Sequence, residues 1–452
     1  MRFNIPEYVK LIIKRLEDKG YEAYVVGGSV RDMILGKSPK DYDVTTNALP
    51  DEIENIFRDF KTVNVGKQFG TIVVCQQEGD VEVTTFRKEG LYLDGRRPEW
   101  VSFSSSIEDD LSRRDFTINA IAYNEKKGIV DPFNGQEDIS KRIIRTVGDP
   151  NERFSEDYLR ILRAVRFSSQ LAFHIEEETF KAARIHSKNI LKVAMERIED
   201  EFFKILLCPI PSKGIRLMEE MGLLEVILPE IMPAIGFEQK NPHHEMDVYN
   251  HILCVLDNTP PILEVRLAAL FHDIGKPHTL SVDEEGVGHF YGHDKVGAEI
   301  AKEVLKRFRA PNKLIDQVCS LVREHMNHHA NFGEKGLKRL IRRLGEDEVF
   351  KLTALQKADI RCSNKDASFD HIVEREKRIR RILEKKEAYD INQLDINGKD
   401  LMDIGFKQGP IIGKILEYLL EYVMENPENN KKEVLKNIAL DKFSYVFNSR
   451  SC

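Results

Sequence analysis

Gly27-Gly28-Ser29-Val30-Arg31-Asp32, followed a short loop later by Lys40-Asp41-Tyr42-Asp43-Val44, is the stretch that decides the fold. A strand over Tyr21 to Val26 runs into a glycine pair whose bare backbone can close on phosphates at a helix start. In an extended strand side chains alternate faces, so Asp41 and Asp43 point the same way, with α-carbons about 6.5 Å apart. Such a carboxylate pair can hold two divalent ions at the roughly 3.5 to 4 Å separation used in in-line phosphoryl transfer. Nucleotidyl transfer is the chemistry this spacing implies. A turn carrying solvated aspartates is the structural alternative.

Outward from that stretch, residues 6 to 19 read as a helix stopped by Gly20, and short strands then alternate with turns to about residue 147. They include Gly70 to Cys75 and Val81 to Phe86, the latter alternating so that Glu82, Thr84 and Phe86 share a face. Glu82 is the natural third carboxylate, placed by a neighbouring strand where it can help deprotonate an attacking 3′-hydroxyl. Beyond Asp149-Pro150 the pattern is helical nearly to the end, interrupted by prolines. The 452 residues exceed one core and predict several domains.

The composition, 41% hydrophobic and 32% charged, is that of a folded chain. No apolar run approaches the ~20 residues of a membrane span, and the start lacks a signal-peptide core. A cytoplasmic location is therefore expected. Six cysteines lie far apart with no Cys-x-x-Cys, which predicts reduced thiols that serve in packing. The net charge of -7 does not advertise a nucleic-acid binder. Local basic runs do occur, however: Lys335, Lys338, Arg339, Arg342 and Arg343 lie opposite a stripe of Leu337, Leu340, Ile341 and Leu344, and a second run covers Arg375 to Lys386. Each reads as a solvated helix face or as a phosphate-binding surface.

Two further strings carry chemistry. Arg113-Arg114-Asp115 offers planar donors for phosphate or ribose and an anion to orient them. Glu156-Asp157-Tyr158-Leu159-Arg160-Ile161-Leu162-Arg163 reads as a helix, which puts Asp157 and Arg160 on one face. An acceptor beside a donor there matches the Watson–Crick edges of cytosine and adenine and rejects those of uracil and guanine. An ordinary intrahelical ion pair is the alternative.

This ordered set, over roughly residues 20 to 235, resembles the class II tRNA nucleotidyltransferase and bacterial poly(A) polymerase family. The resemblance implies a polymerase-beta-like α/β nucleotidyltransferase domain followed by an all-α C-terminal part. It implies Asp41 and Asp43 as Mg2+ ligands and Gly27, Gly28, Ser29 and Arg31 as triphosphate contacts. Arg114 and Asp115 resemble the ribose-recognising motif, and Asp157 with Arg160 the amino-acid template for the base. Arg163 belongs to the same motif, near the phosphates. The segment Arg87 to Pro98, with Asp94, Arg96 and Arg97, is similar to the flexible loop that CCA-adding members use to switch from C to A. tRNA, CTP and ATP are the implied partners; poly(A) polymerase and CC-only or A-only addition are the nearer alternatives.

Histidine is concentrated between His243 and His329. Within that stretch Phe271-His272-Asp273-Ile274-Gly275-Lys276 places imidazole beside carboxylate, a pairing suited to a divalent metal. With His251 upstream and Asp359 downstream, the set resembles the HD-domain metal-dependent phosphohydrolases, and His293 and His325 are candidates for a second ion. By that resemblance an RNA-end phosphohydrolase activity is a second expectation, and a signalling HD phosphohydrolase with a nucleotide-binding front domain is the more distant alternative. The expected domains are 1–147 (catalytic head), 148–240 (helical neck), 241–370 (HD domain) and 371–452 (helical tail).

Overall fold

The computed structural model describes residues 3–89, 101–240, 246–329, 332–363 and 368–444. Loop residues Asp94, Arg96 and Arg97 lie outside them. The chain forms two compact units, Met1–Met232 and Pro233–Cys452.

The first unit is built on a sheet of β1 (Ala23–Val26), β2 (Asp43–Thr46), β3 (Lys61–Gly66), β4 (Thr71–Cys75) and β5 (Val81–Thr85). A ribbon of β6 (Arg87–Glu89) and β7 (Val101–Phe103) stands apart, and β8 (Ala122–Asn124) and β9 (Gly128–Val130) complete the sheet, in the order β3-β4-β5-β2-β1-β8-β9. Only the β2–β5 pair is parallel. Helices α1 (Glu7–Glu17), α2 (Gly28–Ile34), α3 (Pro50–Ile56), α4 (Ile107–Ser112) and α5 (Gly135–Lys141) surround it.

The strands bury both faces because their apolar residues serve two cores. Val25, Val44 and Val83 pack with Val9, Ile12 and Leu16 of α1, whose three- and four-residue spacing makes one apolar stripe. Each such side chain contributes about 1.5 to 3 kcal/mol on burial. On the opposite face Tyr24, Val26 and Phe86 pack with Ile107 and Leu111 of α4. Strand alternation puts Asp43, Thr45 and Glu82 on this second face, beyond the end of its smaller core. The polar site therefore lies where α4 covers the sheet.

Helices follow: α6 (Pro150–Glu156), α7 (Leu159–Leu171), α8 (Glu177–His186), α9 (Met195–Leu206), α10 (Pro211–Glu220) and α11 (Leu224–Ile227). The second unit contains α12 (Val248–Asn258), α13 (Leu263–Phe271), α14 (His293–Arg307), α15 (Asn312–Glu324), α16 (Glu334–Leu344), α17 (Glu348–Ser363), α18 (Asp370–Glu384), α19 (Gly398–Asp403), α20 (Pro410–Glu425) and α21 (Lys432–Phe443). The expected α/β head and helical remainder are what the fold shows. No helix among the described residues is long and apolar enough to cross a membrane.

Two expectations fail here. Cys254 and Cys362 form a disulfide, whereas Cys75, Cys208 and Cys319 are free. The sequence separation of 108 hides this pair, since only the packing of α12 on α17 brings the two sulfurs together. The basic face of α16 stays largely exposed at Arg339, Arg342 and Arg343, but its charges are spent on acids and are not free for phosphates. Lys335, Arg339 and Arg342 pair with Glu425, Glu421 and Glu417 of α20, and fully buried Lys338 reaches the Met424 carbonyl at 2.9 Å and Glu387 at 2.7 Å. The like spacing of acids on α20 makes the two stripes complementary.

Candidate functional site

Gly27 ends β1 with φ 80° and ψ -133°, a conformation that side chains oppose. A Cβ there would lie 2.9 Å from Nη1 of Arg114, so the bare α-carbon is also what lets that guanidinium approach. Gly27→Ala is expected to cost about 1 to 2 kcal/mol in backbone strain and to push Arg114 aside. It should lower nucleotide addition at least tenfold with a small fall in Tm; a wild-type rate would remove Arg114 from the site.

The register pairs Val26 of β1 with Asp43 of β2, and Asp43 with Glu82 of β5. Two carboxylates thus stand side by side on one sheet face, one residue from Gly27. Asp41 precedes the strand, but exposure still alternates across Asp41, buried Tyr42 and Asp43. Asp43 keeps an open solvent face, yet the protein around it limits its hydration and raises its carboxyl above the usual range. Arg114 opposes that rise, while Glu82 and Asp41 add like-charge repulsion. The side chains of Asp41, Asp43 and Glu82 make no hydrogen bond or ion pair with another described residue, and Arg114 attracts the Asp43 charge without touching it.

Beneath them lies a carboxylate that sequence reading missed. Asp110 of α4 is fully buried, accepts from Thr45 Oγ1 at 3.2 Å, and holds Arg113 at 2.7 Å and Arg114 at 3.3 Å. Burial raises its carboxyl, but the two guanidinium groups outweigh that and hold it below the usual range. Its three- and four-residue offsets from the arginines are the signal that could have found it. Nε of Arg114 is buried without a partner.

Asp115 has its acceptors fully used. Oδ1 accepts from the Phe116 amide at 2.8 Å and from Asn119 at 3.1 Å, and Oδ2 from Arg163 Nη2 at 2.6 Å. Burial works against its charge, but Arg163 and Asn119 hold the carboxyl down to about 2. Asn119 also accepts from Arg31 Nη1 at 2.7 Å, and Arg31 donates to Asp32 as well. Arg31, Arg163 and Arg166 all lie over the Phe167 ring. A polar chain from Asp32 through Arg31, Asn119 and Asp115 to Arg163 thus joins α2 to α7. Arg31 and Arg163, read from sequence as phosphate contacts, are engaged within this chain, and Ser29 Oγ donates to the Val26 carbonyl at 3.1 Å.

The Asp157–Arg160 reading needs correction. Asp157 is extended, with φ -148° and ψ 104°, and separates α6 from α7 instead of lying within one helix. Its carboxylate accepts from the Leu159 amide at 3.1 Å, the local capping bond that competes with a continuous helix. It also receives Arg197 of α9 at 2.7 Å. Arg160 is spent on the carbonyls of Arg153 and Arg113, at 3.0 and 3.2 Å, and on Glu156. The two side chains have separate partners, and nothing in the sequence around Asp157 points to Arg197.

In the second unit five buried side chains surround Asp273. Its Oδ2 lies 3.3 Å from His251 Nε2 and 3.4 Å from His272 Nε2, and Asp359 Oδ1 lies 3.1 Å from His251 Nε2. On the other side Oδ1 lies 3.4 Å from His293 Nε2 and 3.8 Å from His325 Nε2. Two triads therefore share one carboxylate, His251–His272–Asp273 and Asp273–His293–His325. Nδ1 of His272, His293 and His325 meets the carbonyl of Ala269, Phe290 and Val322 at 2.8, 2.6 and 2.6 Å. A carbonyl only accepts, so each Nδ1 carries hydrogen and each Nε2 faces the centre.

Burial pushes His325 down to about 3, keeping it neutral, with His272 reinforcing the effect. Burial also disfavours the charge on Asp273, but Lys276, 2.7 Å away, and His272 hold that carboxyl well below the usual range. Gly275 is required by packing, since a Cβ there would meet the His293 carbonyl at 2.3 Å. His278 and His289 lie outside the cluster, His243 and His244 are outside the described residues, and the exposed His289 pairs with Asp283 instead. The centre also includes Gln239, which sequence reading missed and which accepts from Lys276 at 2.8 Å.

Residues 23–145 match the family model for the poly A polymerase head domain. Residues 172–235 match the "Probable RNA and SrmB-binding site of polymerase A", and residues 291–439 match tRNA nucleotidyltransferase domain 2. The CCA-adding enzyme of Geobacillus thermodenitrificans is 50% identical over 212 residues, 47% of this chain and 52% of that relative. In that match the chain spans about half the relative's length. The CCA-adding enzyme of Pediococcus pentosaceus is 34% identical over 433 residues, 95% of this chain and 96% of that one. The structure of the Bacillus stearothermophilus CCA-adding enzyme in complex with CTP aligns with a TM-score of 0.74 at 29% identity, covering 99% of this chain and 100% of that chain. With a nucleotidyltransferase head matched in sequence and fold, and a relative aligned over 95% of its length, the chain belongs to the CCA-adding enzyme family.

Proposed function

We propose that this protein builds or repairs the 3′-CCA end of tRNA from CTP and ATP, releasing pyrophosphate. The observation that carries this reading is the register of Asp43 with Glu82 beside Gly27 and Asp41. Their carboxylates make no direct ion pair with another described residue, and hard oxygen donors of that kind suit Mg2+. Asp41 and Asp43 would hold the metal, which supplies charge neutralisation for phosphoryl transfer when bound. Glu82 accepts the proton of the attacking 3′-hydroxyl. Gly27, Gly28 and Ser29 leave the backbone open to the triphosphate, and Arg31 holds α2 in place beneath it. The partly exposed guanidinium of Arg114 is the cation that meets the nucleotide, with Asp110 and Asp115 fixing the segment that carries it.

Asp157 and Arg160 read the base by exchanging partners. Asp157 gives up Arg197 to accept from the exocyclic amine, and Arg160 gives up Glu156 to donate to the ring nitrogen. The head (1–147) performs the chemistry, and the neck (148–240) selects the nucleotide. The tail (371–452) contacts tRNA in a cytoplasmic setting. The test is to sequence the 3′ ends made from a tRNA transcript stopping at the discriminator base. CCA ends are expected with CTP plus ATP and CC ends with CTP alone; runaway A tails or absence of C would replace this reading with poly(A) or partial addition.

The six-ligand centre around Asp273 favours a second activity, a metal-dependent phosphohydrolase acting on RNA ends such as a 2′,3′-cyclic phosphate or a 2′-phosphate. The domain 241–370 would hold a divalent ion on His251, His272, Asp273 and Asp359, with His293 and His325 for another. A metal bound there activates water at neutral pH. Buried Lys276, paired with Asp273, keeps that carboxylate charged for the ion.

A further inference from the structure

We propose that Cys254 and Cys362 form a reversible redox clasp that sets the affinity of the Asp273 centre for divalent metal; this rests on the reading of that centre as a metal site. Cys254 lies three residues beyond His251 on α12, and Cys362 three residues beyond Asp359 on α17. At that spacing each cysteine shares a helix face with a ligand. His251 Nε2 and Asp359 Oδ1 meet at 3.1 Å, and one turn further on the Cα atoms of the cysteines are 5.9 Å apart. The same offset on both helices means they run locally parallel, so the sulfur bridge fixes the separation on which the ligand pair depends.

Asn258 Nδ2 faces both sulfurs, at 3.7 and 3.6 Å, and its Oδ1 accepts from Arg361. Cys254 is half-buried and Cys362 is buried, so Cys254 is the more exposed of the two. Disulfides in reducing compartments serve mainly as transient or sensing bonds.

The oxidant is a small-molecule disulfide of the glutathione type. The Cys254 thiolate attacks it, forming a mixed disulfide and expelling one thiolate. The Cys362 thiolate then attacks Cys254 Sγ, forming the internal bond and expelling the second. Two protons leave the protein, and its two electrons reduce the oxidant's disulfide to two thiols.

The test poises the full chain in glutathione buffers, maps disulfides by alkylation and mass spectrometry, and titrates Mn2+, an ion that binds thiols weakly. The signal assigned to this centre is what Asp273→Asn removes. A linked Cys254–Cys362 peptide is expected under oxidation, with Mn2+ affinity falling about tenfold on reduction. Cys254→Ser should bind at the reduced level in every buffer, and a thermal melt matching that of the reduced wild type would show that its second unit is folded. Absence of the linked peptide throughout overturns the clasp. A linked peptide with equal Mn2+ affinity in both states also overturns it, leaving the metal site intact. If Mn2+ binds this centre in neither state, the metal reading fails together with the clasp.

Discussion

Replacing Asp43 with alanine is expected to lower the single-turnover rate of both C and A addition by at least about a thousandfold, equivalent to about 4 kcal/mol of lost transition-state stabilisation. The residue contributes a carboxylate at the point where β1, β2 and β5 converge, and Glu82 cannot substitute because it occupies the adjacent strand. Stability should not fall. Asp43 is open to solvent, and its raised carboxyl reflects restricted hydration and the repulsion of Glu82 and Asp41. Rapid-quench incorporation of labelled CTP, beside a thermal melt, separates the two effects. Addition at a wild-type rate would move the metal site away from these carboxylates.

Asp273→Asn is expected to abolish tight divalent-metal binding in the second unit and any phosphohydrolase activity with it, while CCA addition continues. One carboxylate serves both triads, so its loss removes a ligand from each. Asparagine keeps the shape but removes the charge that Lys276 pairs with at 2.7 Å. A buried cation left without its partner costs about 3 to 5 kcal/mol, so the variant should also melt earlier. Metal at a hundredfold excess over its Kd should stabilise the wild type by about 2.7 kcal/mol and this variant not at all. Calorimetry with and without chelator checks this. Equal metal-induced stabilisation in both proteins would assign the cluster a structural role.

Features that depend on neighbouring residues are legible in local spacing. The glycine pair, the alternating aspartates, the strand with Glu82 and the switch to helices at Asp149-Pro150 depend on neighbouring residues, and strand and helix periodicity report them directly. His272-Asp273 was legible because two metal-binding chemistries lie adjacent. Partner assignments were less accessible. Asp157 was placed inside a helix because its flanks are helical, but its own capping bond to Leu159 broke the helix. The basic stripe on α16 gave no hint that α20 carries the complementary acids 75 to 90 residues away. The cysteines looked independent for the same reason.

By itself, then, the sequence determined the chemistry available to this protein: carboxylates at strand spacing, a glycine turn where φ must be positive, an acceptor and a donor three residues apart, and imidazoles beside carboxylates. The tertiary structure decided which charges find a direct partner. Among the described residues the side chains of Asp41, Asp43 and Glu82 have no direct ion-pair partner, whereas Arg31, Arg160 and Lys338 are consumed internally. The physical reason is that secondary structure follows contacts within a few residues, but the neutralisation of a buried charge depends on whichever group folding brings within about 4 Å, and sequence separation does not limit that choice.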